Sequence, residues 1–273
     1  MAIRLLSVDV DGTITNDRNQ ITDATVGALR RAMAAGITVA LNTGRDLSES
    51  GLVLDKIPEI PYLLGCTGAF LMDLRTKERL VTHSLSAELA RQAYAVLHRY
   101  DTMVNLFMDD AVFNQASELE NVEHYYPPNL TSVFATHHVV PSLADVLAAR
   151  ERDIDKLYVV FADRKEQHAA FEEIRALPLF VTEAAFLDME VTAADADKGT
   201  ILRDFAARFG YRPEEIMAVG DSGNDVPMLR VAGIGVAMGN ARETVKAAAD
   251  VIAPPNTEDG LAWAIDRLLK GEL

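Results

Sequence analysis

The sequence predicts an α/β protein built on a doubly wound parallel sheet, with a second α+β module inserted into it. Short apolar runs rich in branched residues alternate with helical periodicity in the first and last thirds of the chain, and several of these runs end in Asp, Asn, Thr or Gly. The middle third breaks the alternation with a hairpin pattern.

Ile3 to Val8 reads as the first strand, closed by the turn-forming Asp11-Gly12-Thr13. A helix then begins at Thr22, whose hydroxyl can cap it, carries Val26, Leu29 and Met33 on one face, and stops at Gly36. Ile37 to Leu41 is a second buried strand and Tyr62 to Leu64 a shorter third. In the last third, a helix from Lys198 repeats Ile201, Leu202, Phe205 and Phe209 at helical spacing before Gly210. Strand Ile216 to Val219, a helix near Asp225 to Val231, strand Ile234 to Ala237, a helix over Glu243 to Ala249 and a short strand at Val251 follow. Such alternation indicates parallel strands covered on both faces.

From Ser84 to Val191 the pattern changes. A helix over Ala87 to Arg99 precedes a hairpin, Met103 to Phe107 and Ala111 to Asn114, turning at Asp109-Asp110. Beyond the irregular Tyr125-Tyr126-Pro127-Pro128 come strand Leu157 to Phe161, helix Lys165 to Ala176, and strands near Phe180 and over Phe186 to Val191. Residues 84–191 are therefore expected to form the inserted module, and 1–83 with 192–273 the outer domain.

Composition narrows the function. A chain of 273 residues, 49% hydrophobic, is long enough for a large core plus a partner domain. Its longest apolar runs fall far short of the roughly 20 residues of a membrane span, and Arg4 and Asp9 interrupt the start as a leader sequence. The formal charge of −15 argues against a nucleic-acid binder. A single cysteine, Cys66, suits a reducing compartment, the cytoplasm, and gives no support to a cysteine zinc site.

Chemistry concentrates at the strand ends. Asp9 and Asp11 follow the first strand and would point the same way if the strand persisted; two carboxylates so close call for a hard divalent cation such as magnesium. A solvated Asp-Gly turn accounts for this segment equally well by itself. Asn42-Thr43-Gly44-Arg45 ends the second strand where a helix near Leu47 should start, so it reads as an anion-binding turn or as a plain helix cap. Lys198 sits at a helix start, which disfavours a cation unless it reaches an anion; a snorkelling surface lysine is the alternative. Gly220-Asp221-Ser222-Gly223-Asn224-Asp225 follows another strand and is the most specific of these signals. His137-His138 reads as a surface or loop pair rather than zinc ligands, and Cys66 as a small buried residue. Tyr125, Tyr126 and the Met103 to Met108 stretch read as packing residues rather than a substrate pocket.

In combination, residues 9–13, 42–45, 197–199 and 220–225, continued by Val236-Ala237-Met238-Gly239-Asn240-Ala241 and Asn256-Thr257-Glu258-Asp259-Gly260, resemble the haloacid dehalogenase superfamily of phosphohydrolases, in its Cof-type branch. The resemblance implies a Rossmann-like core, magnesium, and a phosphatase acting on a small phosphorylated metabolite such as a sugar phosphate through an aspartyl-phosphate. A sugar phosphomutase of the same fold, or a phosphatase of a phosphorylated cofactor or its precursor of flavin or pyridoxal type, are the alternatives. By the same resemblance Asp9 is the nucleophile, Asp11 the general acid and base, and Asp9, Asp11 (through its carbonyl) and Asp221 the metal ligands. Thr43, Gly44, Lys198 and Asn224 bind the phosphoryl group, with Asp225 and Arg45 in support. Only about 30 residues separate Asp11 from Thr43, so the insertion between Thr43 and Lys198 resembles the C2 type of cap, which sets substrate specificity. The branch often shows Ser-Asn-Gly-Ala after the third strand; here Cys66-Thr67-Gly68-Ala69 stands there.

Overall fold

The computed structural model describes residues 2–126, 134, 136–183 and 187–273. Pro127, Pro128 and Phe186, which the sequence reading placed in a loop and at a strand start, lie outside the described residues. The chain divides into two compact units: residues 1–44, 50–82 and 197–273, and residues 45–49 with 83–196.

The first unit opens with β1 (Leu5–Val8), β2 (Thr38–Asn42), β3 (Tyr62–Gly65), β4 (Phe70–Asp73) and β5 (Glu78–Thr82). The second unit follows with β6 (Thr102–Met108), β7 (Ala111–Gln115), β8 (His138–Val140), β9 (Lys156–Phe161), β10 (Leu179–Thr182) and β11 (Asp188–Ala193). The chain then returns to the first sheet with β12 (Ile216–Gly220), β13 (Ile234–Ala237) and β14 (Val251–Ile252).

The first sheet runs β14-β13-β12-β1-β2-β3-β4-β5. Its first six strands are parallel, as the alternation predicted. β4 and β5 add an antiparallel edge that the sequence reading missed. Every side chain of β1 and β12 is buried, which is why those segments read as continuous apolar runs. Leu5, Ala40, Leu64 and Ala218 face a core completed by Ile201, Phe205 and Met228 from helices Lys198–Phe209 and Val226–Val231. Helices Asp23–Ala34 and Gly260–Leu269 pack on each other, tied by Arg31 to Asp266 at 2.6 Å. Thr22 caps the first of these, its hydroxyl accepting from the Thr25 amide at 3.1 Å. The last helix, with Leu261, Ala264 and Ile265 buried, was also missed in the sequence.

The register aligns Val8 with Leu41 on one side and Val219 on the other, so β1, β2 and β12 end at one edge of the sheet. That edge therefore gathers the residues following Val8, Leu41 and Val219. It is the carboxyl edge, where open parallel sheets place their sites.

In the second unit the sheet order is β10-β11-β9-β6-β7-β8, antiparallel apart from β7–β8. The β6–β7 hairpin turns at Asp109-Asp110, both with left-handed φ (55° and 60°), the geometry of a tight two-residue connection. One face, including Val104, Leu106, Leu157, Val159 and Val191, packs with residues of helices Ala87–Leu97, Leu143–Ala148 and Arg164–Ile174. Asn105, Lys156, Tyr158 and Glu190 alternate with that apolar set; Lys156 is paired to Glu190 at 2.8 Å and Tyr158 donates to Asp188 at 2.9 Å. Of the surface or loop pair expected at His137-His138, His137 is a loop residue but not a surface one: its ring is 2% exposed, with Nδ1 2.6 Å from Asn114 Oδ1 and Nε2 3.3 Å from Glu49 Oε1. His138, at the start of β8, is exposed and stacks on Phe113. Among the described residues, no helix is long and apolar enough to cross a membrane.

Candidate active site

The β1 ladder stops at Val8, although the Asp9 amide still donates to the Val219 carbonyl at 3.0 Å. The chain then turns through Val10–Ile14, closed by Thr15 N–H donating to Val10 O at 3.0 Å. The condition for Asp9 and Asp11 to share a strand face is thus not met: Asp9 is 4% exposed, whereas Asp11 is exposed. Gly12 takes φ +79°, and a Cβ on it would lie 2.4 Å from Asp221 Oδ2. Only glycine lets the turn approach that carboxylate so closely.

Lys198 is 1% exposed, which discards the snorkelling reading. Its Nζ donates to Asp9 Oδ1 at 2.7 Å and to Asp225 Oδ1 at 2.6 Å. Its helix start is held by Asp197, whose Oδ1 accepts from the Gly199 and Thr200 amides. The expected helix near Asp225 begins only at Val226, after a tighter turn over Gly223–Asp225. That turn folds the Asp225 carboxylate back, so that Oδ2 accepts from the Asp221 and Ser222 amides at 2.9 and 2.8 Å. Gly220 makes room, since a Cβ there would lie 2.4 Å from Asp225 Cγ. Asp221 Oδ1 accepts from the Thr13 hydroxyl at 2.9 Å.

Thr43 is fully buried; its amide donates to Leu64 O and its carbonyl accepts from the Thr67 amide. Gly44 ends this stretch of the first unit, and Arg45 lies in the second, donating to the Glu49 carbonyl at 2.8 Å. The helix expected near Leu47 starts at Gly51 instead. The cause is local: Asp46 Oδ1 accepts from the Ser48 hydroxyl and the Glu49 amide, which stabilises a turn in place of a helix. The Thr43-Gly44 amides therefore do not open a helix. Asn224 is buried beside Asp225.

Oxygen ligands from Asp9, Asp221 and Asp225 lie within 4.8 Å of one another. Burial pushes the Asp9 carboxyl well above the usual carboxylate range, and Asp225, Asp221 and Asp11 add to this against the opposing pull of Lys198. Asp221 is raised to about 7, first by burial and then by Asp225, with the Thr13 hydroxyl opposing. Burial works against the Lys198 ammonium, but Asp225 and Asp9 outweigh it and raise its pKa. One ammonium thus faces a larger number of carboxylates. That excess negative charge, presented entirely by hard oxygen donors, fits a divalent cation such as magnesium.

Several residues with a place here entered the sequence analysis only as members of a motif or turn and not as site residues. Asn42 donates to the Lys198 carbonyl at 2.9 Å and to Ser7 Oγ at 3.2 Å, tying β2 to the lysine's helix. Cys66, buried as expected, Thr67 and Gly68 all take left-handed φ, and a Cβ on Gly68 would meet the Asp197 carbonyl at 2.4 Å. Membership in a motif was the signal available for Asn42; neither Cys nor Thr signals a left-handed backbone.

The sequence model of the haloacid dehalogenase-like hydrolases matches residues 6–265. The chain is 29% identical over 267 residues to the 5-amino-6-(5-phospho-D-ribitylamino)uracil phosphatase YcsE of Bacillus subtilis, covering 96% of this chain and 94% of that one. It is 27% identical over 271 residues to the pyridoxal phosphate phosphatase YbhA of Escherichia coli, covering 97% and 98%. Among solved structures, a haloacid dehalogenase-like hydrolase from B. subtilis superposes with a TM-score of 0.88 at 26% identity, covering 97% of this chain and all of the other. With its motifs gathered at one sheet edge and its family match spanning nearly the whole length, the chain belongs to the haloacid dehalogenase-like hydrolases, in their Cof-type branch.

Proposed function

We propose that this hydrolase is a magnesium-dependent phosphatase that removes phosphate from a small phosphorylated metabolite, a sugar phosphate or a related polyol ester. The observation that carries the reading is the buried arrangement of Lys198 between Asp9 and Asp225, with Asp221 adjoining, at the carboxyl edge of the parallel sheet. Relatives named as phosphatases of a ribitylaminouracil phosphate and of pyridoxal phosphate support the reaction class and a small substrate.

Asp9 attacks phosphorus: an Asp9 oxygen–phosphorus bond forms while the ester oxygen–phosphorus bond breaks, giving an aspartyl-phosphate. Asp11 gives a proton to the departing oxygen. It then takes one from the water that attacks the acyl-phosphate, which frees inorganic phosphate and restores Asp9. Lys198 offsets charge on the transferring group, and Thr43, Gly44 and Asn224 hold its oxygens. Asp225 keeps Lys198 in place and fixes the Asp221 loop through two amides. Asp9, the Asp11 carbonyl and Asp221 would hold magnesium, which supplies charge neutralisation to the phosphoryl group. Residues 84–191 form the specificity module, and Arg45 supports the phosphoryl site by anchoring its own loop through the Glu49 carbonyl.

Purified protein supplied with magnesium should release phosphate from a generic aryl phosphate. Asp9→Asn, close to isosteric, should lower release by at least about a thousandfold while circular dichroism and melting stay near those of the parent. Release surviving in that variant rejects Asp9 as nucleophile.

A further inference from the structure

Two of the motif segments, 236–241 and 256–260, take no part in the chemistry above. Their asparagines are nevertheless chained to it. Asn240 Nδ2 donates to the Gly12 carbonyl at 2.9 Å and to Asp221 Oδ2 at 3.4 Å. Its Oδ1 accepts from the Asn256 amide at 3.0 Å. Asn256, itself buried, sends Nδ2 to the Thr15 carbonyl at 3.0 Å and to Asp17 Oδ1 at 3.2 Å. With the Thr13 hydroxyl on Asp221 Oδ1, the turn after β1 is held at Gly12, Thr13 and Thr15 at once.

A primary amide suits the Asn240 position because it presents a donor and an acceptor in fixed relation. A carboxylate there would set oxygen against the Gly12 carbonyl and Asp221; a hydrophobe would leave both without that donor. The absence of a Cβ at Gly12 leaves the turn's backbone hard against Asp221. A small drift of the turn therefore changes the spacing between Asp221 and the Asp9–Asp11 oxygens directly.

We propose that Asn240 is a positioning residue: braced by Asn256, it locks the Asp11–Gly12 turn against Asp221 and so sets the spacing of the oxygen ligands for the divalent cation. The inference rests on the magnesium-phosphatase reading and assigns a purpose to both C-terminal motifs. Groups that orient metal ligands without touching the metal commonly change affinity by about 10- to 100-fold when removed.

The test is calorimetric titration of Mg²⁺ into metal-stripped parent, Asn240→Ala and Asn240→Ser protein, with melting of each in chelator. Asn240 is exposed, so both variants should fold and melt close to the parent. Mg²⁺ affinity should fall by roughly tenfold in both. The magnesium concentration giving half-maximal phosphate release should rise by the same factor, with KM for the aryl phosphate at saturating magnesium little changed. Parental Mg²⁺ affinity in both variants overturns the proposal, as does a loss of metal-free stability with affinity unmoved, because Asn240 would then be structural only. A parent that neither binds Mg²⁺ nor releases phosphate overturns the magnesium reading itself, a result distinguishable from failure in the variants alone.

Discussion

Lys198 shows how single residues hold this site. A fully desolvated ammonium is unfavourable by itself, and the fold accepts it because two carboxylates lie within 2.7 Å. Lys198→Ala should abolish phosphate release and also destabilise the fold by about 3 kcal/mol in urea unfolding at neutral pH, since it leaves the buried Asp9 and Asp225 carboxyls without their shared donor. A change under about 1 kcal/mol, the size seen for exposed pairs, would mean that the triad is not buried in solution. At this scale the sequence was most legible where chemistry is side-chain-specific, as with Asp9, Asp221 and the lysine after Asp197. It was least legible for supporting amides. Asn42 and Asn240 act through hydrogen bonds to groups distant in sequence, backbone carbonyls among them, and an asparagine's partners are set by tertiary approach.

Between elements, what was legible followed periodicity. β13 was placed over its full extent, and the Lys198 helix over its full length, because apolar spacing and flanking glycines agree there. β4 and β5 were missed: Phe70-Leu71-Met72-Asp73 is too short to separate strand from helix, and Glu78-Arg79-Leu80-Val81-Thr82 is a polar edge strand. The helix expected over Glu243 to Ala249 stops at Lys246; Ala247 still donates to Glu243 O at helical spacing, while Ala248 and Ala249 close as tighter turns onto Val245 and Lys246. Glu118 gives an element-scale test in the second unit. Following the β6–β7 hairpin, its Oε2 accepts from the Val104 amide of β6 at 2.8 Å, while Oε1 is buried with no hydrogen-bond partner among the described residues. Burial raises its carboxyl to about 7, against the opposing Val104 amide. The folded state therefore binds this proton more tightly than the unfolded chain. Its stabilising contribution is complete below about pH 4.5 and lost as pH rises through about 7. Glu118→Gln keeps an acceptor for Val104 and removes the titration. Between pH 6 and 8 it should lose less stability than the parent, the gap at pH 8 being about 1–3 kcal/mol. Parallel urea curves at both pH values would show that Glu118 is solvated.

Across the molecule, a chain of net charge −15 is assigned the task of holding a phosphate ester. The difficulty is met locally: Lys198 supplies positive charge where strands β1 and β12 end, beside an oxygen cluster of Asp9, Asp221 and Asp225 that fits a divalent cation. The parallel core was legible because buried strands carry continuous apolar runs. The antiparallel edge, β8 and the helix over Leu143–Ala148 were not, their segments being short and of mixed polarity. The central claim is that Asp9 carries the phosphoryl group during turnover. Acid quenching of the protein within milliseconds of mixing with an aryl phosphate and magnesium, followed by peptide mass spectrometry, reads this directly. An acid-stable, hydroxylamine-labile phosphoryl group is expected on Asp9 in the parent and none in Asp9→Asn; turnover with the label on another residue, or a full burst of product with Asp9 unmodified, would contradict Asp9 as the carrier.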